Sequence, residues 1–308
     1  LLYNGNKEIF IDTLHLVSQI NNDTSRTLEI NSNVVSASIN GNFKPTIIVH
    51  DFTEFVQEVS SSIADDSLNV VNYYKNKTIH QEIPYHVNYD IKLHDINAFL
   101  NIYTPGLYIS GESLIKGKFN SGQTKIFRSR AYIDTIYYKG FELRKNKFNI
   151  FCSQKSDNSE VLGNVTLTSE NQINSDYIET ENLVFESVLA GEQADFYFNA
   201  KQKKSNNNTK ISGTIDLFEP YNIITFNNSV LSIKDKTWTF EDNRKISFNS
   251  KTTIFDSISI YNLDHRLTVT GKYSEGKTNG SLLMNQVDIA DFSHFFTTIK
   301  LKGIIDGD

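Results

Sequence analysis

The sequence predicts an all-β protein: a long, twisted, mainly antiparallel sheet with a few short amphipathic helices. Three observations carry this. Apolar and polar residues alternate with period two over most of the chain, the pattern of strands with one face buried. The composition favours pleated surface, with 21 Phe, 15 Tyr and only 4 Pro. An apolar-x-Gly-x-apolar unit recurs around Gly41, Gly117, Gly163, Gly213, Gly271 and Gly303. Its spacing runs from 32 to 76 residues, a degenerate repeat and not a strict solenoid. In each unit the glycine lies on the face of its apolar neighbours and leaves a gap there, as at a bend or a close approach.

The elements follow in order. Residues 1–49 read as short strands, with turns at Asn4-Gly5 and Asn21-Asn22-Asp23. Residues 51–64 change period: Phe52, Phe55, Val56, Val59 and Ile63 recur at helical spacing. Asp51 is the expected N-cap and Glu54 completes a capping box. The same opening returns at Asp95 and Asp291, each followed by an apolar residue and then Phe. After a polar turn at 65–67 strands resume, with Tyr85, Val87, Tyr89 and Ile91 alternating. Further strands are expected at 107–109, 114–119, 131–138 and 141–151. Residues 223–262 read as a meander with Val230, Ser232, Trp238 and Phe240 pointing one way and turns at Asp235-Lys236 and Asp242-Asn243. Trp238, the single tryptophan, reads as a packing residue.

The totals exclude several classes. The 308 residues are 39% hydrophobic and 21% charged, so the chain folds. A net charge of -6 without a long basic run argues against nucleic acid as a partner. Cys152 is the single cysteine; it closes the Phe148, Ile150 alternation and reads as a small buried hydrophobe. No stretch approaches the ~18 apolar residues of a membrane helix. The chain reads as one elongated unit over 1–308, with sub-units at 1–105, 106–200 and 201–308, cut from a longer protein. No catalytic motif is present, and no histidine has a carboxylate at metal-ligand spacing. The expectation is a non-enzyme with no catalytic residue, no metal and no cofactor.

At about 12 residues per strand and turn, the chain makes roughly 25 strands, a sheet on the order of 100 Å across. A sheet this long must close, roll into a trough or divide into sandwiches. A trough with an apolar inner face is a groove for apolar ligands.

The run Ser229–Phe240, then Ile246-Ser-Phe, Ile258-Ser-Ile and Leu267–Ser274 resembles the TamB family of translocation and assembly module proteins, relatives of the AsmA-like proteins of Gram-negative bacteria. Leu282–Phe292, Leu301–Gly307 and the Phe-containing units at Gly41 and Gly117 are also similar to its repeats. The resemblance implies a sheet rolled into a U-shaped, taco-like groove with an apolar interior. It implies bridge-like transport of phospholipid across the periplasm, between inner and outer membranes, and a role in outer-membrane biogenesis. It further implies an inner-membrane anchor outside this chain and an outer-membrane β-barrel partner of the BamA/TamA kind, engaged through other parts of the protein.

On that reading the partner of this segment is phospholipid acyl chains. The candidate lining residues are those beside the repeated glycines: Ile39, Phe43, Ile115, Phe119, Ile211, Ile215, Val269 and Leu301. The competing reading of the same residues is an ordinary sandwich core. Two other functions fit an elongated β surface. One is an assembly factor that binds outer-membrane β-barrel proteins or autotransporters by strand addition at a sheet edge. The other is a structural or adhesive β-repeat module of the cell surface.

Overall fold

The structure is a computed structural model and describes residues 2–4, 7–9, 11–22, 25–63, 84–155, 160–174, 179–217, 220–292 and 304–307. It is all-β, built on one long antiparallel sheet. The strands up to the first helix are β1 (Leu2–Asn4), β2 (Lys7–Ile9), β3 (Leu14–Asn22), β4 (Ser25–Ser32) and β5 (Val35–Gly41). Helix α1 (Pro45–Ile63) precedes β6 (Tyr85–Leu93), and a short helix α2 (Asn97–Tyr103) precedes β7 (Leu107–Ile109). Then come β8 (Ser113–Ser121), β9 (Thr124–Tyr138), β10 (Phe141–Lys155), β11 (Val161–Asn174), β12 (Glu179–Ala190) and β13 (Gln193–Gln202). They are followed by β14 (Asn208–Asp216), β15 (Asn222–Ile233), β16 (Lys236–Phe240), β17 (Lys245–Phe248) and β18 (Thr252–Asn262). The last elements are β19 (His265–Ser274), β20 (Lys277–Asp288), α3 (Ile289–Phe292) and β21 (Ile304–Gly307). Among the described residues no helix is long and apolar enough to cross a membrane.

Most neighbouring strands pair antiparallel in chain order, and β6 steps past β7 to pair with β8. A closed circuit of ladders exists locally: β15 pairs with both β16 and β17, and β18 pairs with both on the other side. Strands β9 and β10 are 15 residues each, longer than the 12-residue strand-and-turn expectation. Length is kept by bulges. Register shifts fall around Asn182, Asn228, Ser257 and Gln286, each with φ between 49° and 55°. One extra residue there absorbs a change of phase in the alternation without ending the strand. In β18 the inward residues move from odd Phe255 to even Ile258 and Ile260 across Ser257. The register sets Trp238 opposite Leu231, so it does not share a face with Val230 and Ser232.

Helix α1 begins six residues before the expected start, with Pro45 as its first residue, where a missing N–H costs nothing. Asp51 is therefore inside the helix and does not cap it. Its carboxylate instead accepts hydrogen bonds from Tyr85 Oη (3.0 Å) and Ser121 Oγ (3.2 Å) on the sheet. Asp95 lies two residues before α2, and Asp291 falls within α3. Among the described residues two clusters form the core. In the first, α1 seats Phe55 against Phe119, with Phe43, Tyr85, Val87, Cys152 and Val161 around them. In the second, Trp238 is fully buried with Ile233, Ile260 and Val287, and Phe292 of α3 packs 5.2 Å from its ring.

Candidate functional site

Directly opposed residues of an antiparallel ladder point to the same face, so registers can be read across the sheet as rows. One row is apolar at every step. It runs Leu16–Ile30–Ala37–Ile91–Ile115 across β3, β4, β5, β6 and β8. It continues Ala131–Phe148–Leu167–Phe185–Phe198–Ile211 across β9 to β14. Ten strand spacings make it ~48 Å long. A parallel row runs Gly41–Val87–Phe119–Phe127–Cys152–Gly163–Leu189–Ala194–Ile215. It then passes Ile224, Ile246 and Phe255 to Gly271 and Gly280, with no charged residue.

The structure divides the expected lining residues. Phe119 is 1% exposed beneath Phe52 and Phe55 of α1, Phe43 is buried beside it, and Ile39 packs against the same cluster. These three belong to a core. Ile115 and Ile211 are half-buried and sit in the first row, at β8 and at its β14 end. Ile215 is half-buried in the second row, and Val269 is half-buried opposite Leu282. Leu301 lies outside the described residues. The long side chains between Ile115 and Ile211, namely Phe148, Leu167, Phe185 and Phe198, escaped the glycine pattern. They are half-buried, and neither core cluster includes them. Each sits in an alternating strand, which is the signal that was available.

The glycine gaps are filled from the neighbouring strand. A Cβ on Gly117 would collide with the Tyr89 ring and the Arg128 carbonyl. One on Gly213 would strike the Thr225 carbonyl and meet Phe196 at 3.1 Å. Gly163 differs, with 3.5 Å to its nearest neighbour, Leu189. Burial raises the Tyr89 phenol pKa, with a hydrogen bond to Ser129 opposing it, and burial pushes the Cys152 thiol up to about 11.

Beneath α1 the sheet holds a buried ion pair. Lys125 of β9, 1% exposed, donates to Glu54 Oε2 at 2.7 Å and lies 3.7 Å from Glu58. This pair, with the bonds to Asp51, fixes α1 on its face of the sheet. His50, Asp51 and Glu54 also place ligand atoms within 4.8 Å of one another, a grouping the spacing rule overlooked. The Asp51 and Glu54 carboxylates are engaged by Tyr85, Ser121 and Lys125, so the grouping reads as part of the helix seat.

Comparison with protein-family models, with curated proteins and with solved structures returned no match.

Proposed function

We propose that this chain is a segment of a TamB-like bridge that carries phospholipid acyl chains along the apolar face of its sheet. The observation that carries the reading is the unbroken apolar row from Leu16 to Ile211. From Ile30 onward its members are half-buried, although Phe148, Leu167, Phe185 and Phe198 pack in neither core cluster. Side chains that converge on a concave face shield one another in this way without a cover. On a flat face they stand apart. An acyl chain laid on such a row leaves water at ~0.8 kcal/mol per CH₂, so one long chain gains on the order of 10 kcal/mol. Headgroups stay in solvent at the mouth of the groove. Transport is passive: every step along the row presents similar aliphatic and aromatic contacts, and no bond is made or broken. The wider expectations of periplasmic location, an inner-membrane anchor and an outer-membrane β-barrel partner accompany this proposal.

Native mass spectrometry of the gently purified chain tests it. Co-purifying phospholipid is expected, and Ile211→Arg with Val269→Arg should abolish it while far-UV circular dichroism is retained. A folded chain that carries no lipid, and takes up none from phospholipid vesicles, would sink the proposal. The strand-addition reading has its own observation: β3 is exposed at all nine residues, with Leu14, Leu16 and Ile20 at 60–70%. Capture of unfolded β-barrel segments by a lipid-free chain would favour it.

A further inference from the structure

We propose that the polar face of the sheet carries a binding site for a small ligand bearing two phosphate groups, centred on Lys116, Lys118, Arg128 and Arg130. These side chains lie on the face opposite the apolar rows, so the site is independent of the lipid proposal. In the β8–β9 ladder Lys118 stands directly opposite Arg128, and Lys116 directly opposite Arg130. Like charges directly opposed across a ladder destabilise it. Among the described residues the compensation is slight: Asp90 pairs with Lys116 at 2.6 Å, and Arg128 lies over the Phe151 ring. A chain with net charge -6 thus gathers four cations at one place with a single ion-paired carboxylate.

The four cations line one concavity of about 750 Å³. That volume is in the ordinary range for a small-molecule site, roughly 300–1,000 Å³. Asn88, Asn149, Asn164 and Thr166 also line it and supply neutral hydrogen-bonding groups, beside the apolar Ile150 and Phe151. Opposed Cβ atoms on a ladder are ~5 Å apart and alternate residues on a strand ~7 Å apart, so the cations mark the corners of a small rectangle. One phosphate laid across an opposed pair meets one lysine and one arginine. Two phosphates on a sugar-sized scaffold engage both pairs, each meeting a lysine and an arginine, whose planar fork matches phosphate oxygens. The amides then meet hydroxyls of the scaffold. Ligand charge replaces the cross-strand repulsion with attraction, which gives the energetic reason for keeping opposed cations on this ladder.

The test is isothermal titration of the intact chain with fructose 1,6-bisphosphate, with fructose 6-phosphate as the single-phosphate control. Submillimolar binding of the bisphosphate is expected, with the monophosphate at least about tenfold weaker. Lys118→Gln with Arg128→Gln should lose binding and, in the free protein, raise the midpoint of thermal unfolding. A merely structural pair would lower that midpoint when neutralised. In a second arm, the chain is sedimented with phosphatidylcholine vesicles carrying a bisphosphorylated lipid headgroup. Sedimentation that the soluble bisphosphate fails to displace assigns the phosphates to a lipid. Soluble binding without sedimentation assigns them to a free metabolite. Absence of binding in both arms, equal binding by the double variant, or a monophosphate bound as tightly as the bisphosphate would overturn the proposal.

Discussion

Replacing Phe119 with alanine separates a lining residue from a core residue. Phe119 is 1% exposed, and its ring meets Phe55 at 5.5 Å, Phe52 at 5.7 Å and Tyr85 at 6.2 Å. Truncating a fully buried Phe costs ~3–5 kcal/mol, through lost transfer energy and the cavity left behind. Two of the three ring partners are on α1, so the substitution also loosens the helix. Phe185 is the contrasting position: half-buried in the apolar row and absent from both core clusters. Its truncation removes most of a Phe burial, ~1–2.5 kcal/mol, and opens no closed cavity. Urea unfolding followed by far-UV circular dichroism should place Phe119→Ala below Phe185→Ala by ~1 kcal/mol or more. Amide exchange should show α1 opening in the first variant alone. Lipid carriage should follow the reverse order, impaired by Phe185→Ala and spared in the folded fraction of Phe119→Ala. Equal stability losses, or a Phe119 loss under ~1 kcal/mol, would refute the assignment of Phe119 to a sealed core.

Gly213→Ala should destabilise by ~1–3 kcal/mol, because the new methyl meets the Thr225 carbonyl and strands must separate. Gly163→Ala, with 3.5 Å to its nearest neighbour, should be near neutral; matched urea midpoints for the two would show that the neighbouring strand yields freely. Cys152 supplies a pH dependence. Burial raises its thiol from 9.0 to about 11 in the fold, so the unfolded thiol ionises first. The contribution is fully present below pH 9.0 and is lost as pH rises towards about 11. A shift of this size is worth roughly 2–3 kcal/mol, which Cys152→Ala should remove from the alkaline limb of a stability profile. Alkylation of Cys152 at pH 8 should require unfolding, and rapid labelling of the folded chain would contradict its burial.

The strands were legible where alternation is strict. Tyr85, Val87, Tyr89 and Ile91 lie on β6 as expected, and the 107–109 strand matches β7 to the residue. Legibility failed where local and distant demands compete. Asp51 has the chemistry of an N-cap, but its carboxylate serves Tyr85 and Ser121, 34 and 70 residues away, and the helix starts at Pro45. The bulges at Asn228 and Ser257 were hidden because a change of phase in the sequence looks the same as a strand end. Of the lining candidates, only position relative to α1 distinguishes Phe119, which is sealed, from Ile115 four residues earlier, which is not.

The sequence by itself determined the class of fold and the two-faced character of each strand. Those properties depend on the direction of a side chain from its own backbone, which alternates residue by residue. Tertiary structure decided which residues stand side by side. Phe148, Leu167, Phe185 and Phe198 come from four strands, and only their ladders align them into one row. Lys125 meets Glu54 across 71 residues of chain, and Lys118 faces Arg128 only because β8 and β9 pair in this register. Shifting that pairing by one residue would exchange the faces, because side chains repeat with period two. Register is set by the whole set of buried contacts at once, and no local stretch of sequence contains it.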